Sequence, residues 1–395
     1  MPWLKQQESL AKWRLHFLGV TNGDQSMTNA LFNDNRLKLG VFGLNVSNGC
    51  TATTAEGHLE PTWQNNVDIA GMADRAGIEA LVPVARWKGF GGKTNFNGTS
   101  FETYTWAAGL AAITREATVF STSHVSTIHP IVAAKQATTI DHISHGRFAL
   151  NVVCGWYEPE FLMFGAPVMA HDGLYAYATE WLEIVRRLWV AEDEFDYEGR
   201  FFHIIKGFHK PKPIQQPFPP IMNAGSSATG ARFAAQYADM VFIHIAVDAD
   251  DETTARIRAQ RALGREEFGR EFQVWATCSV VCRPTEKEAV DYARYYILDK
   301  GDWDAVANLA SSGRRQAGPP GPGERLRSPG WGSTLLVGTP EQIVAQLMHL
   351  TEMGLDGVVL SWVNYEVELA QWINDVLPVL EQAGLRRPYA PAHAR

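Results

Sequence analysis

Reactive and polar side chains gather at a few places in this chain, each just after an apolar run. Thr122, Ser123 and His124 close the run ATVFSTSH. Asn151, Cys154, Gly155 and Trp156 close GRFALNVVCGW, and Glu160 follows. Asn45-Val46-Ser47 follows LKLGVFGL, Ala85-Arg86 follows EALVPV, and Ala224-Gly225-Ser226-Ser227 follows PPIMN. Small hydroxyl and amide groups can hold a polarised oxygen. A Gly-Ser-Ser turn that opens a helix can offer N–H and hydroxyl donors to a phosphate, although an ordinary Ser N-cap explains it equally well. Any one of these sets is common turn chemistry. Their recurrence at successive strand ends is what suggests a site.

Several other chemistries find no support. Gly91-Gly92-Lys93-Thr94 is not a P-loop, because the leading Gly of that motif falls at Trp87. No G-x-G-x-x-G joins a strand to a helix, so no Rossmann nicotinamide site is visible. No Cys/His cluster has zinc spacing. Cys154 has no neighbouring His or Asp and reads as a small buried residue. Cys278 and Cys282 sit too far apart along one strand for a disulfide, so the four cysteines read as free thiols of a reducing cytosol. His129 precedes Pro130 at a helix start, as a capping neighbour or a polar group of the site. His142 and His145 precede a strand and read as structural.

The elements that position these groups alternate. Strands are expected at 37–44, 80–85, 117–122, 147–153, 220–223, 240–245, 272–282 and 357–362. Helices are expected at 62–76, 103–114, 130–140, 175–189, 229–237, 250–263, 285–297, 339–352 and 366–381. In the helix 62–76, Trp63, Val67, Ala70 and Ala73 are spaced for one face. Eight strands alternating with helices call for a parallel sheet, and eight units in one chain favour a closed (β/α)8 barrel. In such a barrel the loops after the strand C-termini carry the chemistry, which is where the polar sets fall. Residues 1–36 read as an N-terminal arm with weak helical character from Pro2 to Phe17. Residues 37–385 read as the barrel and 386–395 as a tail.

Composition agrees with this class. The chain has 395 residues, 46% hydrophobic, with a formal net charge of −8. It reads as a globular cytoplasmic protein, without a basic stripe for nucleic acid, a membrane-length apolar run or a signal-peptide core.

The stretch Asp141-His-Ile-Ser-His-Gly-Arg147 with Asn151-Val-Val-Cys-Gly-Trp156 resembles the strand-four signature of the bacterial luciferase-like flavin monooxygenases. Within them the chain is most similar to the pyrimidine and dimethylsulfone monooxygenases. LFNDNRLKLGVFG, GFGGKT, HPIVAAKQATTIDHIS, KPKPIQ with PPIMNAGSS, and LVGTPEQI carry the same resemblance. It implies a two-component enzyme that takes reduced FMN from a separate NAD(P)H:flavin reductase, adds O2 at the flavin, and cleaves a C–N bond of a heterocyclic amide or a C–S bond of a sulfone through a flavin peroxide. It implies flavin-binding positions at Ala85, Arg86, Asn151, Glu160, Tyr175, Ser226 and Ser227. Thr122 and Asn151 match the residues that flank dioxygen beside flavin N5. Leu174 departs from the pyrimidine enzymes, which have Arg there. A homodimer or homotetramer is implied as well. A riboflavin-cleaving enzyme, an F420-dependent oxidoreductase and a non-catalytic flavin binder on the same fold are the alternatives.

Residues 298–334 break the rhythm with Gly-Pro-Pro-Gly-Pro-Gly323. This composition leads to the expectation of a mobile lid without regular structure, whose Arg314, Arg315, Arg325 and Arg327 clamp an anion or form a solvated charge cluster.

Overall fold

Short runs of Val, Leu, Ile and Phe that are apolar on both faces can hide that surface only in a parallel sheet covered by helices. The computed structural model describes residues 29–166, 169–225, 227–245, 250–311, 318–322 and 324–389. Its strands are β1 (Lys38–Phe42), β2 (Ala80–Val82), β3 (Thr118–His124), β4 (Phe148–Val153), β5 (Phe195–Glu198), β6 (His203–Gly207), β7 (Ile221–Asn223), β8 (Met240–Ile243), β9 (Gln273–Cys282), β10 (Thr334–Gly338) and β11 (Gly357–Ser361). The barrel runs β1-β2-β3-β4-β7-β8-β9-β11 and closes where β11 pairs with β1. These are the eight strands expected from the sequence.

Inside the barrel Phe120, Ala149, Met222, Met240, Trp275 and Val359 pack as one cluster. Alternation along a strand fixes what lies above them. Phe120 points inward, so Thr122 and His124 share its face, and Asn151 shares that of Ala149. Thr122 pairs with Asn151 in the β3–β4 register, so the two sit at one height. Gly40 has no side chain because the barrel is full there. A Cβ on it would lie 2.9 Å from Val359 Cγ1 and 3.0 Å from Ala80 Cβ.

The described end of the arm reaches the barrel interior. It makes a short turn, Ala30–Phe32, and Leu31 joins the barrel-interior cluster. Asn29 Oδ1 caps Leu31 N at 3.1 Å, and Gln273 Nε2 donates to Leu31 O at 2.6 Å. The helix expected over Pro2–Phe17 falls outside the described residues. Arg386 is buried against Glu79, which also accepts from Asn33, Asn35 and Leu39 N.

Differences from the expected elements have local causes. The helix Trp63–Arg75 buries Asn66, Ile69, Ala70, Ala73 and Asp74, while Trp63 is 42% exposed and stands edge-on to Phe101. The buried stripe is thus rotated from the expected one, because Asn66 accepts from Trp106 Nε1 and Asp74 accepts from three backbone N–H groups at 115–117. The hairpin β5–β6 and the helix Glu158–Met163 were not expected from the sequence. Nor was β10, which extends the edge of β9 beyond β8, since Cys278 pairs with Leu360 on one side and Thr334 on the other. The excursion at 298–334 is not without regular structure. It contains the helix Trp303–Ala310, capped by Asp302 Oδ1 accepting from Ala305 N.

Candidate active site

β3 and β4 place the central polar pair. Thr122 Oγ1 lies 2.6 Å from the carbonyl of Pro83, which can only accept, so the Thr122 proton is committed there. The hydroxyl must then accept from Asn151, whose Nδ2 lies 3.1 Å away. That fixes the amide. Among the described residues its Oδ1 is left buried with no hydrogen-bond partner.

A cavity of about 370 Å³ opens at this end of the barrel, within the range of roughly 300–1,000 Å³ typical of small-molecule sites. Ala85, Arg86, Thr122, Asn151 and Tyr175 all line it, as do Leu174 and Trp156. Ser227 does not line it. It caps the helix Ala228–Tyr237 by accepting from Gly230 N at 3.1 Å, while its neighbours Ala224 and Gly225 line the wall. Gly230 is side-chainless because the Tyr175 hydroxyl lies where a Cβ would be. Ser226 falls outside the described residues. Glu160 lies behind the wall and lines neither this cavity nor its neighbour.

Glu160 organises the loop after β4. Gly155, at φ +93°, turns the chain there, and a Cβ on it would meet the Phe161 ring at 2.5 Å. The Glu160 carboxylate accepts from Arg86 Nη1 at 3.1 Å, Trp87 N at 2.7 Å and Lys88 N at 3.1 Å, with His124 Nδ1 at 3.3 Å. Burial alone would raise its pKa. The His124 hydrogen bond and the Arg86 charge outweigh burial and hold it below the ordinary value. Burial lowers the pKa of Arg86, opposed by Glu160. The guanidinium sits among the rings of Phe90, Trp156, Tyr157 and Trp331 at 4.8–5.5 Å.

A second cavity of about 270 Å³ adjoins the first and shares Ala85, Arg86, Thr122 and His124 with it. It reaches outward to Tyr104, Ser123 and Gln136. Among the described residues no His, Cys, Asp and Glu group has the arrangement to hold a metal ion, and no helix is long and apolar enough to cross a membrane.

Residues 37–357 match the family model described as luciferase-like monooxygenase. The chain belongs to that family. Pyrimidine monooxygenase RutA of Bradyrhizobium sp. is 33% identical over 283 residues, covering 71% of this chain and 77% of that protein. The FMNH2-dependent dimethylsulfone monooxygenase of Pseudomonas putida is 29% identical over 375 residues, 91% of this chain and 99% of that one. Among solved structures, a riboflavin lyase (RcaE) with modified FMN and riboflavin superposes with a TM-score of 0.78 at 22% identity. It covers 90% of this chain and 94% of that one, a likeness of fold.

In this luciferase-like monooxygenase the stretch Asp141–Arg147 is scaffold. Asp141 accepts from Ile214 N and from Gln215 N and Nε2. Arg147 donates to the carbonyls of Ala111, Thr114 and Ala117. His129 caps its helix by accepting from Ile131 N and does not line the main cavity. Asn45 ties backbone together, donating to Val84 O and accepting from Val84 N.

The GFGGKT loop holds the excursion. Thr94 N and Oγ1 both donate to Asp302, and Asn308 Nδ2 donates to Phe90 O at 2.7 Å. Trp331 Nε1 donates to Asn97 Oδ1, and bridges join Thr51 to Gly330 and Thr53 to Gly301. Leu309 and Trp331 thereby become cavity wall. Arg314 and Arg315 fall outside the described residues. Arg327 is engaged within the excursion, with Glu324, Gly318 O and the Trp303 ring. Besides Leu309 and Trp331, sequence reasoning missed Phe42, Phe242 and Thr277 on the main cavity. Inward parity near the strand ends marks Phe42 and Phe242. Nothing local marks Leu309 or Trp331, which arrive through tertiary packing.

Proposed function

We propose that this luciferase-like monooxygenase binds reduced FMN in the 370 Å³ cavity and uses dioxygen to oxidise and cleave a small organic substrate. The bond broken is C–N in a heterocyclic amide or C–S in a sulfone. Relatives whose names specify pyrimidine and dimethylsulfone substrates support both choices.

The observation that carries the reading is the orphaned Asn151 Oδ1. The Thr122–Pro83 bond makes it an acceptor with nothing to accept, at a cost of about 1–3 kcal/mol for a buried group. A planar ring system bearing N–H groups, as the reduced isoalloxazine does, supplies what it lacks. Ser227 at its helix N-terminus and Tyr175 against Gly230 suit the phosphate end. Leu174 adds no phosphate ligand. Bound reduced FMN supplies the electrons that activate dioxygen. Thr122 and Asn151 orient polar groups beside it, and Trp156 and Trp331 keep water off the ring. A separate NAD(P)H:flavin reductase delivers the reduced flavin. The reading places the protein in the cytoplasm, with 37–385 as one barrel domain in a homodimer or homotetramer.

Anaerobic titration tests this. Reduced FMN should bind saturably. Ser227→Ala with Tyr175→Phe should weaken reduced FMN far more than reduced riboflavin. Equal losses for the two ligands would place the phosphate elsewhere. Asn151→Ala should weaken reduced FMN by no more than about tenfold, the loss of one hydrogen bond, and cut product formation by about 10²–10³, the effect of removing one preorganised polar group.

A further inference from the structure

His124 has a feature that flavin binding does not use. It is the last residue of β3, on the same inward face as Thr122, and it lines both cavities. One ring nitrogen, Nδ1, lies 3.3 Å from Glu160 Oε2, and the two side chains are 5% and 2% exposed. The Glu160 carboxyl is held below its ordinary pKa, so at neutral pH it is a carboxylate and can only accept. The nitrogen facing it must therefore carry the proton. Glu160 is itself immobilised by Arg86 and by the backbone N–H groups of Trp87 and Lys88. The tautomer and the ring plane of His124 are fixed from behind. No hydrogen bond engages its other nitrogen, Nε2, among the described residues, and His124 lines both cavities.

We propose that His124 is a catalytic acid–base residue, with Glu160 as its positioning residue, and that the substrate is a heterocyclic amide whose nitrogen departs. This rests on the reading of the cavity as a flavin monooxygenase site. An amide nitrogen leaves poorly as an anion. When the C–N bond breaks, its electron pair goes to nitrogen, and the Nε2 proton of the imidazolium moves onto that nitrogen. The carbon forms its new C–O bond to dioxygen that two electrons from reduced flavin have brought to the peroxide level, so the first products are a peracid, the protonated nitrogen and oxidised flavin. Neutral imidazole remains, protonated at Nδ1, and a solvent proton restores Nε2. The second cavity offers the route for that exchange, since His124 borders it and Tyr104, Ser123 and Gln136 make it polar. A sulfone releases a sulfinate, a stable anion that needs no proton at this step. A fixed acid–base imidazole therefore favours the amide over the sulfone.

Three measurements test this. In the full-length enzyme labelled with ¹⁵N-histidine, taken to a pH at which the imidazolium has lost one proton, the resonance lost in His124→Gln should be that of an Nδ1–H tautomer, and Glu160→Gln should abolish that preference. His124→Gln should bind reduced FMN within about threefold of wild type. It should turn over uracil at least about a hundredfold more slowly, in the range of a lost general acid. Free imidazole should restore turnover to His124→Ala, which a merely structural histidine would not allow. An Nε2–H tautomer, or uracil turnover in His124→Gln within about threefold of wild type, overturns the pair. Wild type that binds reduced FMN and oxidises dimethyl sulfone but neither uracil nor thymine overturns the substrate class. Wild type that does not bind reduced FMN overturns the flavin reading instead, and the tautomer measurement then still judges the His124–Glu160 pair.

Discussion

Glu160→Ala removes the group on which the loop after β4 and the turn after β2 converge. Its carboxylate holds a guanidinium, two backbone N–H groups and an imidazole. Arg86 is 4% exposed, and its Nε already has no partner among the described residues. Removing one side of a buried pair strands the other charge, at about 3–5 kcal/mol. The N–H groups of Trp87 and Lys88 lose their acceptor as well. The aromatic cage around Arg86 offsets about 0.5–2 kcal/mol of this by cation–π attraction. A net loss of about 3 kcal/mol is expected, and urea unfolding measures it. Adding Arg86→Met removes the stranded charge. The double variant should then recover about 2 kcal/mol relative to the additive sum. A single-variant loss below about 1 kcal/mol, or strict additivity, would show that solvent or the rings already satisfy Arg86 and that Glu160 is not the anchor.

Three further outcomes follow from the same geometry. The pKa of Glu160 is depressed in the folded state, so its contribution to stability is present above its ordinary 4.5 and is lost as pH falls below that value; urea midpoints should drop on acidification in wild type and drop less in Glu160→Gln. Burial pushes the Cys154 thiol up to about 12, so iodoacetamide at pH 8 should leave it unmodified in the folded protein and label it in urea. Arg386→Ala strands the carboxylate of Glu79 beneath the barrel and should cost about 3–5 kcal/mol in urea unfolding, with flavin affinity unchanged.

The barrel was legible because its signal is local and repeated. The strand runs are largely apolar, and five of the eight are followed by a polar set, so the barrel strands emerged together with Thr122 and Asn151 at matching ends. What the sequence hid depends on contacts between distant segments. The helix Trp303–Ala310 was masked by the Gly and Pro content further along the same excursion. It is stable because Asp302 meets Thr94 and Asn308 meets Phe90, two hundred residues earlier in the chain. Leu31 gave no sign that it would enter the barrel. Its place follows from the Asn29 cap and from Gln273 on the far side of the fold. Glu160 could be singled out by its position after Gly155-Trp156, whereas its engagement by Arg86 and His124 needed three loops brought together.

Oxygen transfer within this cavity is the step to test most directly. The enzyme should be given reduced FMN and ¹⁸O2 in a single turnover, with uracil and dimethyl sulfone as probes, and the products read by mass. Wild type should give a cleaved product carrying ¹⁸O, and Asn151→Ala should lose that product and release hydrogen peroxide, as oxygen transfer at this site requires. Labelled product at equal yield from both proteins, or reduced FMN consumed with no ¹⁸O entering either probe, would contradict it.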